Sequence, residues 1–181
     1  MDPNPVEVEE ILLGGGCFWC IEAGYQLLDG VLEVQSGYAG GHVDHPGYRQ
    51  VCSGTTGHAE VVRVRFDPAR ITLRELLTVF FLLHDPTQLN RQGNDIGTQY
   101  RSVIFADNDG QAATAREMIA ALDASGLYRT PVVTAVEGRV AFFPAEPEHD
   151  DYYRRNSRQG YCRVVIDPKL DKVRAYLERR R

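Results

Sequence analysis

The sequence predicts an α+β fold of two layers, helices packed on a sheet, rather than a regular doubly wound parallel sheet. Three observations carry this. Apolar residues come in short blocks that either alternate as in strands or recur at helical spacing. Strand and helix blocks take turns through the first two thirds of the chain, and a hairpin signal with short helices then replaces them. The 181 residues, 43% of them hydrophobic, suffice for one core, so residues 1–181 are expected to form a single domain.

Val6 to Leu13 reads as a strand entering the breaker run Gly14-Gly15-Gly16. From Cys17, residues Phe18, Ile21, Tyr25 and Leu28 recur at helical spacing until Asp29-Gly30 ends the pattern. A second strand follows, with Leu32, Val34, Ser36 and Tyr38 on one face. Residues 39–58 have no sustained period and read as a long loop, a common place for function. Glu60 to Phe66 alternates, Val62, Val64 and Phe66 facing one way and Arg63 and Arg65 the other. Thr72 and Glu75 form a capping box opening a helix to about His84. A polar loop, 85–99, leads to the strand Ser102 to Ala106, and Asp107 or Asp109 caps a helix ending at Gly126. Val132–Val136 and Arg139–Phe143 read as a hairpin around Glu137-Gly138. Pro147 starts a short helix, and Asp167-Pro168 caps a final one through Leu177. Residues 1–5 are expected to be flexible, and about 145–181 to form a C-terminal extension.

Charge narrows the function classes. Twenty Lys+Arg against 25 Asp+Glu give a net charge of -5, which favours neither nucleic acid nor an acidic membrane as partner. The apolar stretch Leu76 to Leu83 is far below the ~18 residues of a membrane span. The acidic start, with Glu7, Glu9 and Glu10, is unlike a signal peptide, so a cytoplasmic location is expected. Four cysteines are too few for a disulfide-built scaffold and enough for redox chemistry or one metal site.

The sharpest local feature is Gly15-Gly16-Cys17-Phe18-Trp19-Cys20 at a strand-to-helix junction. Backbone N–H groups at a helix start stabilise a thiolate, which makes Cys17 a candidate nucleophile; Cys20 lies a turn further in. The Cys-x-x-Cys pattern also fits a thiol-disulfide exchanger. A zinc set of Cys17, Cys20, Cys52 and His58 lacks a second close ligand pair, and none of the five histidines has metal-ligand spacing, so no metal is expected. Glu60 shares strand parity with Val62 and Val64, so its carboxyl points inward, where burial raises its pKa and suits it to donate a proton. Tyr38 faces inward by the same parity. The stretch from Arg91 to Tyr100 is dense in hydrogen-bonding groups.

Six segments together resemble the A-type peptide methionine sulfoxide reductases: Gly16–Cys20, Gly37–Gly41, Gly57–Glu60, Arg91–Asp95, Gly97–Ser102 and Ala145–His149. They occur in the family's order over roughly residues 10 to 168. The resemblance implies a two-layer sandwich with a ferredoxin-like mixed sheet core. It implies that Cys17 attacks the sulfur of methionine-S-sulfoxide, in proteins or free, while Glu60 protonates the oxygen with help from Tyr38 and Tyr100. Phe18 and Trp19 would hold the S-methyl group and Asp95 would help position substrate. Cys17 would become a sulfenic acid. Cys162, in a segment that supplies the resolving cysteine in many relatives, would close a disulfide for thioredoxin to reduce. Cys20, where many relatives have glycine, is the alternative resolving thiol; from inside a helix it would need local unwinding to reach Cys17. Cys52 has the weakest case. No cofactor is implied, and a monomer is expected. A module that only binds oxidised methionine is the non-enzymatic alternative, and the joint presence of Cys17, Glu60, Tyr38 and Tyr100 argues against it.

Overall fold

The computed structural model describes residues 7–180; the expected flexible segment 1–5, Val6 of the first expected strand, and Arg181 lie outside them. Strand β1 (Glu9–Gly14) has its last four residues buried, because Ile11 and Leu13 face a helical layer while Leu12 faces a second cluster behind the sheet. Helix α1 (Phe18–Tyr25) follows, then β2 (Val31–Ala39), a one-turn helix α2 (Tyr48–Cys52), β3 (Ala59–Phe66) and α3 (Leu73–Leu83). A two-residue hairpin, β4 (Arg91–Gln92) and β5 (Asp95–Ile96), and a 3-10 turn over Thr98–Tyr100 precede β6 (Val103–Phe105). The chain ends with α4 (Asp109–Ser125), β7 (Ala135–Glu137), β8 (Phe142–Pro144), α5 (Tyr152–Asn156) and α6 (Asp167–Arg179).

The six-stranded sheet runs β7-β6-β1-β3-β2-β8. Its middle four strands, β6-β1-β3-β2, are all antiparallel and are joined as β1-α1-β2-β3-α3-β6, which is the ferredoxin-like arrangement. The β6–β7 pair is parallel, so the sheet is mixed. One apolar cluster joins the front of the sheet to the helices, from Ile11 and Val64 through Phe80 to Leu170 and Val173. The buried Tyr25 hydroxyl donates to the Leu76 carbonyl at 2.6 Å and ties α1 to α3. The Thr72–Glu75 capping box forms as its spacing predicts.

The C-terminal half corrects the expected hairpin. β7 pairs with β6 at one edge of the sheet, and β8 pairs with β2 at the other. Glu137-Gly138 is therefore not a two-strand turn. Val140 and Phe142 instead pack behind the sheet on the cluster of Leu12, Val61, Val103 and Phe105. Burial of that rear apolar surface outweighs local pairing, and both sheet edges gain a covering strand.

Smaller corrections have local causes. A register shift between Val31 and Glu33 turns Leu32 outward, 47% exposed, where strict alternation puts it in the core. Asn108, not Asp107 or Asp109, caps α4, its side chain accepting from the Gln111 amide at 2.9 Å. The long loop 39–58 contains α2, and α1 stops at Tyr25, short of Leu28. Tyr100 ends a 3-10 turn instead of entering β6.

Candidate active site

β1 delivers the chain into Gly15 and Gly16, whose crowding explains the glycine run. A Cβ on Gly15 would lie 2.9 Å from the His84 ring, and Gly16 has φ +90 with Gln92 side-chain atoms 2.8 Å from an added Cβ. Cys17 is the N-cap of α1, in an extended conformation (φ -63, ψ 128), with Phe18 the first helical residue and Cys20 the third. The Cys17 and Cys20 thiols lie near enough for each to shift the titration of the other.

The electrostatics also differ from the expected thiolate. Burial pushes the Cys17 thiol well up, assisted by the bond to Cys20 and by the Glu60 charge, and the Trp19 amide opposes this only in part. Cys20 is pulled down to about 7, chiefly by the hydrogen bond from Cys17, with Lys169 helping against the cost of burial. Removal from water outweighs the helix end at Cys17.

Glu60 comes from β3 and is 1% exposed. The Phe18 amide donates to its Oε1 at 3.2 Å, and Oε2 is buried without a partner. Burial drives its pKa up to about 8, the inward parity read from the sequence having placed it against the core side of the sheet. At neutral pH it is a carboxylic acid holding a transferable proton.

Phenols surround this acid. Tyr38 is the direct cross-strand partner of Glu60, and its hydroxyl donates to Glu146 Oε1 at 3.2 Å. The Tyr48 amide donates to Glu146 Oε2 at 3.2 Å. Burial first, and then Glu146 and Glu60 for Tyr38 or Glu60 for Tyr48 and Tyr100, raise all three phenols above their ordinary value, so they remain donors. Cys52, at the end of α2, is not remote: burial raises its thiol, and Tyr48, Glu60 and Tyr100 all act on its titration. Tyr48 escaped sequence reasoning because a single five-residue turn has no period to detect.

An aromatic wall closes the other side. The buried Phe18 ring lies 5.7 Å from Tyr38 and 5.3 Å from His149. Trp19 stacks on Tyr152 at 3.7 Å, and its Nε1 donates to His149 Nδ1 at 3.1 Å. Asp95 Oδ2 accepts from the Tyr161 hydroxyl at 2.8 Å, and that hydroxyl is 3.8 Å from Cys20 Sγ. Glu146, His149, Tyr152 and Tyr161 thus join the expected residues, and Ala145–His149 was the signal for the first two. Cys162 is buried in a wide turn over Cys162–Ile166 that runs into α6. Burial raises its thiol, with the charge of Cys20 the next cause.

Two sets of metal-type ligands have other employment. His58 accepts from the Gly41 amide at 3.0 Å through Nδ1 and bonds the Val43 carbonyl at 2.6 Å through Nε2, so it pins the 41–43 loop. Glu146, Glu148 and His149 offer ligand atoms within 4.8 Å of one another. Because His149 Nδ1 accepts from Trp19, the neutral ring carries its proton on Nε2, facing the two carboxylates at 3.8 and 3.9 Å, and has no lone pair for an ion.

A buried thiol, a protonated carboxylic acid and an arc of phenols beside an apolar wall suit reduction of a small polar group carried on a sulfur. Residues 9–181 match the family of peptide methionine sulfoxide reductases. The chain belongs to that family. It is therefore an enzyme that reduces methionine sulfoxide. It is 55% identical to the peptide methionine sulfoxide reductase MsrA of Chromobacterium violaceum over 167 residues, 92% of this chain and 95% of that protein. Among solved structures it is similar to reduced Mxr1 of Saccharomyces cerevisiae, with a TM-score of 0.80, 34% identity, and 88% and 91% of the two chains covered. A structure of Mxr1 in complex with Trx2 matches with a TM-score of 0.58 and 26% identity, covering 84% of this chain and 89% of that one.

Proposed function

We propose that this reductase acts on the S epimer of methionine sulfoxide, free and in proteins, with Cys17 as nucleophile and Glu60 as acid. The observation that carries this is the Phe18 amide bond to Glu60 Oε1, which sets the acid beside the residue next to Cys17. Sulfoxide oxygen leaves sulfur only when protonated. Glu60 supplies that proton while Cys17 Sγ attacks the sulfoxide sulfur, and the Cys17 proton replaces the one Glu60 has lost. The hydroxyl ends on Cys17 as a sulfenic acid, and methionine departs. Tyr38 and Tyr100 donate hydrogen bonds to the oxygen as charge builds on it. Phe18 and Trp19 grip the methyl group, and Asp95, held by Tyr161, orients the substrate backbone.

A second thiol then attacks Cys17 Sγ, expelling water and leaving a disulfide. Cys162 is the resolving thiol favoured from the sequence. Cys20, whose thiol and that of Cys17 act on each other electrostatically, is the alternative. Thioredoxin is the reductant proposed for that disulfide, returning both thiols and becoming oxidised itself, as the Mxr1–Trx2 complex supports. The protein is proposed to work as a cytoplasmic monomer; no helix among the described residues is long and apolar enough to cross a membrane.

The test uses resolved S and R epimers of methionine sulfoxide with dithiothreitol. Turnover of the S epimer, lost in Cys17→Ser, is expected; equal turnover of both epimers, or normal rates in that variant, would defeat the assignment.

A further inference from the structure

Two hollows adjoin the site and share Gln92 and Lys169. The nearer, of about 400 Å³, lies between the 88–95 loop and the start of α6, with Asp95 and Tyr161 in its wall. The farther, of about 370 Å³, continues past Asp85 and Tyr128 to Lys172. Together they form one trough leading away from the sulfoxide site. Exposed Leu89, Ile96 and Val164 belong to the segments that border it. A free amino acid would leave this trough empty.

Its charge is unusual for this chain. Lys169 and Lys172 are the only lysines in the sequence, every other fixed cation being arginine, and both line the trough. Neither forms a salt bridge among the described residues. Nearby carboxylates are engaged elsewhere. Asp95 accepts from Tyr161, Asp85 accepts from the Thr87 amide and hydroxyl, Asp167 accepts from Tyr153, and Asp171 pairs with Arg174. Lys169 is close enough for its charge to act on the Cys20 thiol. Two ammonium groups without a salt-bridge partner among the described residues thus line a path whose own carboxylates, Asp85 and Asp95, are turned to neutral donors.

We propose that this trough seats the polypeptide flanking an oxidised methionine and favours acidic side chains there, which Lys169 and Lys172 would pair. This rests on the placement of the sulfoxide at Cys17 and Asp95. The preference runs against the charge of the whole molecule: a net charge of -5 attracts basic peptides by its long-range field, so an acidic preference is a local property of the trough.

The test compares peptides identical except for the residues on both sides of a methionine-S-sulfoxide, Asp in one and Lys in the other, with dithiothreitol as reductant. The acidic peptide is expected to have a kcat/KM about three- to tenfold higher at low ionic strength, the range of one or two exposed ion pairs, with the ratio shrinking as salt is added. Lys172→Glu should lower the rate on the acidic peptide and raise it on the basic one, and should one variant fail to fold, the salt-dependent ratio of the native enzyme decides by itself. A ratio of one, or a preference for lysine, overturns the proposal. So does a Lys172→Glu effect confined to turnover driven by thioredoxin, which would assign the trough to the reductant. Free methionine-S-sulfoxide separates the two readings: its turnover with no peptide preference sinks only the trough, whereas no turnover of any sulfoxide sinks the function beneath it.

Discussion

The Phe18 amide donates to Glu60 Oε1 at 3.2 Å, so the first N–H of α1 is spent on the proposed acid rather than on the thiol that precedes it. The bond favours the charged carboxylate, yet burial wins and carries Glu60 up to about 8. The acid is thereby oriented without being ionised.

A pH profile follows from that value. The proton donor is present below about 8 and disappears above it, so sulfoxide reduction should fall as pH rises through that region. Glu60→Gln should lower kcat/KM by roughly 10²–10⁴-fold and remove this limb, as single-turnover rates between pH 6 and 10 would reveal. A variant that kept the native profile would dismiss Glu60 as the donor.

Stability should fall with rising pH as well. Because the folded protein holds the Glu60 proton more tightly than the unfolded chain does, its contribution is full below the ordinary carboxylate range. That contribution is lost as pH rises through about 8. Glu60→Gln should therefore be more stable to unfolding than the native protein at pH 9, by an amount on the order of a few kcal/mol, with the gap closing toward pH 4. Calorimetry at the two pH values checks the sign.

Mass spectrometry after one turnover without reductant should find one disulfide on Cys17. A Cys17–Cys162 bond supports the C-terminal resolver, and a Cys17–Cys20 bond supports the thiol on the same helix start. Cys17→Ser should leave no disulfide at all.

Tyr38→Phe removes one donor and its bond to Glu146, leaving the ring against Phe18. A fall of roughly 10-fold or more in kcat, with little change in melting temperature, is expected from the loss of one hydrogen bond to developing charge. Tyr100→Phe should behave alike, and the pair together more severely.

Gly16→Ala meets both a positive φ and the Gln92 side chain. The backbone alone costs about 1–2 kcal/mol, and the contact adds to it. Denaturant unfolding should show that loss, while activity should fall further because Cys17 is the next residue.

The two-residue alternation of β3 made Glu60 legible before any coordinates, since Val62, Val64 and Phe66 fix the inward face of one regular strand. Capping at Thr72 was legible for the same local reason. What stayed hidden was set by partners distant in sequence. Val132–Phe143 has the composition of a hairpin, and only the rear surface of Leu12, Val61 and Phe105 draws its two halves to opposite edges. Helical periodicity placed Cys20 a turn from Cys17, but Cys17 caps the helix instead of joining it, and Cys20 is the third residue of that helix. Glu146, Tyr48 and Cys52 entered the site through contacts across long sequence separations that no local spacing encodes.

Trp19 is the sole tryptophan of the chain, and it stacks on Tyr152 while its indole N–H is held by His149. Tryptophan emission therefore originates from a single place, the aromatic wall proposed to hold the substrate methyl group. Occupancy of the site beside it, and any shift of Tyr152 or His149, become optical signals that need no label and no engineered probe.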